Sequence, residues 1–85
     1  MSELQWGKSW TREGESLTRK VECPSFLAAI DLVQQVALVA EELNHHPDID
    51  IRWKSVIFTV TTHSTGTLTQ LDANLTQRID ALIDV

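Results

Sequence analysis

From Phe26 to Leu43 the apolar residues Phe26, Ala29, Ile30, Val33, Val36, Ala37, Ala40 and Leu43 recur at steps of three and four, the period of a helix with one buried stripe. Ser25 is placed to cap its start. Its end is set by Pro47, which drives the preceding residue out of the α region, so the helix has to stop near Asn44 to His46. Beyond Pro47 the period drops to two. Ile49, Ile51 and Trp53 alternate with Asp48, Asp50 and Arg52, then Val56, Phe58 and Val60 alternate with Ile57, Thr59 and Thr61. That pattern predicts two strands joined by a tight turn near Lys54. A chain that changes period across one proline is neither all-helical nor all-β.

The flanks extend the same logic. Trp6 to Arg12 and Ser16 to Glu22 enclose the polar stretch Glu13-Gly14-Glu15, and Leu17, Val21 and Cys23 alternate with Thr18, Lys20 and Glu22, which predicts a β-hairpin. After His63, Gly66 breaks the strand pattern. Thr69 followed by Asp72 has the form of a capping box, with Asp in place of Glu or Gln, and Leu68, Leu71, Leu75, Ile79 and Leu82 mark a second helix to about Ile83. The predicted order is ββαββα. Helices separated by strand pairs imply an α+β fold, a four-stranded antiparallel sheet with both helices packed on one face. The other face is then polar and wet, packed on a partner, or the lining of a site.

With 85 residues there is room for one domain, residues 1–85. Its core is near the lower limit for independent stability, so further burial in a homodimer or homotetramer would be a natural supplement. No apolar run approaches the roughly 18 residues that span a bilayer, and Met1 to Gln5 lacks a basic region leading into an apolar one, so neither membrane insertion nor export is expected. The lone Cys23 cannot form an intrachain disulfide, which points to a reducing, cytoplasmic location. Seven Lys and Arg against twelve Asp and Glu give a net charge of −5, which disfavours direct nucleic-acid binding.

Chemistry concentrates in the histidines. His45 and His46 fall where the first helix ends, and His63 falls where the last strand ends, so all three can point into one rim cleft. Imidazole titrates near 6.5 and both gives and accepts protons at neutral pH, which suits general acid–base work. Asp72, in the first turn of the last helix, lies just beyond the same loop and could orient an imidazole or bind a substrate N–H. Each feature alone has a plainer meaning. Adjacent histidines can cap a helix C-terminus, His63 can be a half-exposed strand residue, Asp72 a first-turn acid, and Glu41-Glu42 a solvated helix face. Trp6, Trp10 and Phe26 suit packing, and Cys23 suits a small buried hydrophobe. A three-histidine zinc site is disfavoured, because neighbouring residues at a helix end seldom direct both rings to one ion and no Cys or His-x-x-x-His spacing supports it.

The strings EELNHHPDIDIRW and VTTHSTGTLTQLD together resemble the pterin-4a-carbinolamine dehydratase family. Its pattern is an acidic residue, His-His-Pro, an aromatic, a later His and then Asp at set spacings, and Glu41, His45, His46, Pro47, Trp53, His63 and Asp72 fill every slot. The resemblance covers nearly the whole chain. It implies dehydration of 4a-hydroxytetrahydropterin to quinonoid dihydropterin, the recycling step after an aromatic amino-acid hydroxylase, with neither metal nor redox cofactor. It implies His45, His46 and His63 as catalytic, with His45 and His63 the better candidates for proton transfer. Glu41, Pro47, Trp53 and Asp72 would form the substrate-binding side, the carboxylates orienting imidazoles or meeting the pterin's N–H edge and Trp53 framing the pocket. Relatives of this kind also serve as a dimerisation cofactor of a homeodomain transcription factor or as a carboxysomal Rubisco assembly factor, so a protein client is the alternative to a pterin substrate. Two positions depart from the family. Ser64 replaces a commoner acidic residue, and Thr67 stands where a glycine is usual. If that position needs positive φ, Thr67 is strained, unless Gly66 takes over the turn.

Overall fold

The protein is described here by a computed structural model covering residues 4–84. Its elements are β1 (Thr11–Glu13), β2 (Ser16–Glu22), α1 (Phe26–Leu43), β3 (Asp48–Arg52), β4 (Ser55–Val60) and α2 (Gln70–Ile83). The strands form one antiparallel sheet in the order β1-β2-β4-β3. Leu17 pairs with Val60, Val21 with Val56 and Ile49 with Phe58, so one face collects the apolar residues and both helices lie on it. Phe58, Leu17, Val56, Val60, Val36, Leu75 and Ile79 are fully buried there. The opposite face carries Lys20, Glu22, Asp48, Asp50 and Arg52 and is polar and exposed. Among the described residues no helix is long and apolar enough to cross a membrane.

Two local expectations are adjusted. The first strand is only Thr11–Glu13 rather than Trp6 to Arg12. Trp10 closes a turn onto the Gly7 carbonyl and buries its ring in the core, so the aromatic segment packs as a loop instead of pairing as a strand. On α1, Phe26 is half exposed and Ala37 exposed, while Val39 is buried beside Ala29, Val36 and Ala40. Ala37 lies about 100° round the helix from Val36 and so falls outside the stripe. The turn between β3 and β4 is two residues, Trp53 and Lys54, with Trp53 at φ 55°.

Arg19 sits at an inward-facing phase of β2 between Leu17 and Val21, and only 9 % of it is exposed. A buried guanidinium needs acceptors. It finds them in Asp80, near the end of α2, and in Asp84, whose two oxygens are 3.1 and 3.2 Å from it. Asp80 also accepts the Trp10 indole N–H at 2.8 Å, so one carboxylate fastens the N-terminal loop, β2 and the end of α2 together. Hydrogen bonding to Arg19 draws the Asp84 carboxyl below its usual range. Such a group stabilises the fold above the ordinary carboxylate range, and its contribution is lost as the pH falls through the lowered folded value. Two outcomes are expected in urea unfolding. Asp80→Ala lowers stability by about 2–3 kcal/mol with the m-value unchanged, less than for an isolated buried pair because Asp84 still faces Arg19. The wild-type midpoint falls on acidification below about pH 4, and falls less steeply in Arg19→Met.

Candidate active site

The site is built around the start of α2. Thr69 caps that helix through its side chain, which accepts the Leu71 N–H at 3.2 Å, while the Asp72 carboxylate reaches back to the Thr69 N–H at 2.9 Å, completing a capping box. Asp72 is fully buried, at 0 % exposure. A buried carboxylate with one donor would be costly. Two further donors come from distant segments: the Thr62 hydroxyl at 2.7 Å from Oδ2, and His45 Nε2 at 2.6 Å from Oδ1. Thr62 continues the inward phase of Val56, Phe58 and Val60 past the end of β4, which is why its hydroxyl points under the sheet edge toward α2.

His45 is positioned by the way α1 ends. Asn44 adopts left-handed geometry at φ 52°, its N–H bonds to the Glu41 carbonyl, and the His45 N–H bonds to the Ala40 carbonyl at 3.1 Å. This is a Schellman closure, with Asn in the place that glycine usually takes. It turns His45 back against the helix end and onto Asp72. His46 faces outward, with Nε2 2.5 Å from Glu41 Oε2, and both side chains of that pair are largely in solvent. Pro47 follows and leads directly into β3.

His63 stands on the connection between β4 and α2. There Gly66 has φ 69° and its N–H bonds to the Thr62 carbonyl at 2.9 Å, while Thr67 pairs with Thr62 in an isolated bridge and lies outside the positive-φ region. Gly66 therefore takes the turn, and Thr67 carries no such strain. The β1–β2 hairpin braces this connection from outside. Glu15 accepts the Leu68 N–H at 3.1 Å, and its carbonyl accepts the Thr61 hydroxyl at 2.6 Å. The Leu68 bond, followed by the Arg12 guanidinium, pulls the Glu15 carboxyl below its ordinary value.

Asn44, His45, His46, Thr61, Thr62, His63, Ser64 and Leu71 line an open cavity of about 320 Å³. The structure thus brings the three histidines together around one space. Asp72 stands behind His45, and Glu41 joins through His46. Pro47 and Trp53 are not among the lining residues. Trp53 was expected to frame the pocket; it sits instead at the β3–β4 turn, 74 % exposed, with Lys54 Nζ 5.2 Å over its ring. The six-residue strand β4 separates that turn from the His63 end by about 20 Å. Among the described residues no three His, Cys, Asp or Glu side chains are grouped to hold a metal ion. Thr62 was missed in the sequence, although a hydroxyl in phase with Val56, Phe58 and Val60 is a buried polar group that must have a partner.

An antiparallel sheet with two helices on one face and a histidine-lined cavity at its rim defines a small α+β protein. Residues 1–82 match the family profile described as pterin 4 alpha carbinolamine dehydratase, and the chain belongs to that family. A provisionally named pterin-4-alpha-carbinolamine dehydratase of Nocardia farcinica is 55 % identical over 79 residues, covering 93 % of this chain and 83 % of that one. A protein of the same provisional name from Mycobacterium tuberculosis (strain H37Rv) is 49 % identical over 73 residues, covering 86 % of this chain and 78 % of that one. Among solved structures, a transcriptional coactivator/pterin dehydratase from Brucella melitensis superposes with a TM-score of 0.84 at 31 % identity, over 88 % of this chain and 82 % of that one. A pterin dehydratase-like protein described as a RuBisCO assembly factor in the alpha-carboxysome shares the fold, with a TM-score of 0.75 at 23 % identity over 87 % of this chain and 88 % of that one.

The cap predicts a stability effect of its own. Asp72→Ala strands the Thr62 hydroxyl and the Thr69 N–H and should cost about 2–3 kcal/mol. For a chain of this size that is a fall of roughly 10–20 °C in Tm, read by thermal unfolding followed by circular dichroism.

Proposed function

We propose that this protein dehydrates a 4a-hydroxytetrahydropterin to the quinonoid dihydropterin by histidine acid–base catalysis. The observation that carries the reading is the presence of His45, His46 and His63, drawn from two separate connections of the fold, along the wall of one open cavity. Family membership supplies the substrate class. In the reaction the bond from C4a to its hydroxyl oxygen breaks, the neighbouring ring nitrogen loses its proton, and that nitrogen's electron pair forms the new C=N bond as water leaves. The step needs an acid at the departing oxygen and a base at the ring N–H. His45 and His63, both of which line the cavity, are assigned these two roles, and His46 assists while Glu41 orients it. The cavity is near the lower end of the roughly 300–1,000 Å³ usual for small-molecule sites.

A second reading, protein binding without turnover, draws on α1, where Leu27 and Leu38 are exposed together with half-exposed Phe26. Stopped-flow decay of an enzymatically generated 4a-carbinolamine separates the two. Under the dehydratase reading the protein accelerates the decay well above buffer, and His45→Ala and His63→Ala each lower the rate by about 10²–10⁴-fold with secondary structure retained. Decay at the buffer rate would leave protein binding as the better account.

A further inference from the structure

We propose that Thr62 is a positioning residue which, acting through Asp72, makes Nδ1 the working nitrogen of His45. The proposal rests on reading the cavity as a dehydratase site, and it follows from counting hydrogens. An ionised carboxylate only accepts, so the 2.6 Å contact between Asp72 Oδ1 and His45 Nε2 requires the proton to be on Nε2. In the neutral ring Nδ1 is then bare and free to accept. Nδ1 has no hydrogen-bond partner among the described residues, and among those residues no fully buried side-chain nitrogen or oxygen lacks one. Nδ1 is therefore on the part of the ring that remains accessible, and His45 lines the cavity.

Thr62 has a single hydroxyl hydrogen, and it goes to Asp72 Oδ2. The 2.8 Å contact between Thr62 Oγ1 and Thr69 Oγ1 must then be donated by Thr69, whose oxygen in turn accepts the Leu71 N–H. The hydroxyls form a one-way chain from the α2 cap through Thr62 to the carboxylate, ending at the His45 proton. Without the Thr62 hydrogen, Oδ2 keeps only the Thr69 N–H, and the carboxylate that holds His45 loses one of its three donors. A carboxylate held by fewer donors fixes the Nε2 proton less firmly, and the tautomer with its proton on Nδ1, which has no base facing the cavity, gains population.

Long-range ¹H–¹⁵N correlation spectra of the labelled full chain, recorded above the ordinary imidazole range, read the tautomer directly. The expected wild-type result is a protonated Nε2 and a bare Nδ1 on His45. Thr62→Val, nearly the same size, should move the two ring-nitrogen shifts toward each other and lower kcat by up to about 10²-fold with little change in KM. Thr62→Ser should restore both. A wild-type His45 protonated on Nδ1, or a Thr62→Val spectrum identical to wild type, overturns the proposal. The spectra require no turnover, so a protein without dehydratase activity would refute the functional reading while leaving the tautomer result to be judged by itself.

Discussion

One buried carboxylate holds three parts of the chain in register with one another. Asp72 takes a hydrogen bond from its own helix start, one from the residue that prolongs β4 and one from the imidazole that closes α1. Each bond to a charged group is worth about 1.5–3 kcal/mol, yet sealing the charge from water costs several, so the arrangement adds less to stability than to placement. What it secures is direction. A carboxylate with three donors at fixed angles leaves His45 one orientation, and the cavity wall inherits that orientation.

The far end of α2 repeats the device with different chemistry. There Arg19 from β2 meets Asp80 and Asp84, and the Trp10 indole completes the set. Between the two polar clamps, Leu75 and Ile79 press into the core formed by Leu17, Phe58 and Val60. Apolar burial holds the helix down without choosing how far it slides along the sheet; the charged groups at its two ends make that choice. The site lies at the first clamp, so its dimensions follow from how α2 is seated over its whole length.

The parts that were legible in the sequence were those written as a repeat or as a local contact. The change of period across Pro47 gave α1 and the β3–β4 pair, the spacing of Leu68, Leu71, Leu75, Ile79 and Leu82 gave α2, and the offset of three between Thr69 and Asp72 gave its cap. The gathering of His45, His46 and His63 could be anticipated because each ends an element at the same rim. Other features depended on partners far along the chain. Arg19 and Thr62 each interrupt an apolar phase, which says that an acceptor is needed but not that it is Asp80 or Asp72. Trp53 occupies a slot of the family pattern, yet a two-residue turn carries it to the far tip of the hairpin. Phe26 shares the periodicity of the α1 stripe but lies at its first turn, where the helix has little left to cover it.

Because only one face of the sheet is apolar, the pairing of β4 with its neighbours decides more than which residues are dry. Moving that strand along by a single position would turn Ile57, Thr59 and Thr61 toward the helices, swing the Thr62 hydroxyl to the wet face and separate His63 from the histidine pair. Such a misfolded chain would keep its helical content and most of its ladder, and would look native to any probe of secondary structure. It would nonetheless lack the histidine-lined pocket, so for this molecule a correct alignment of strands and an assembled pocket amount to a single folding event.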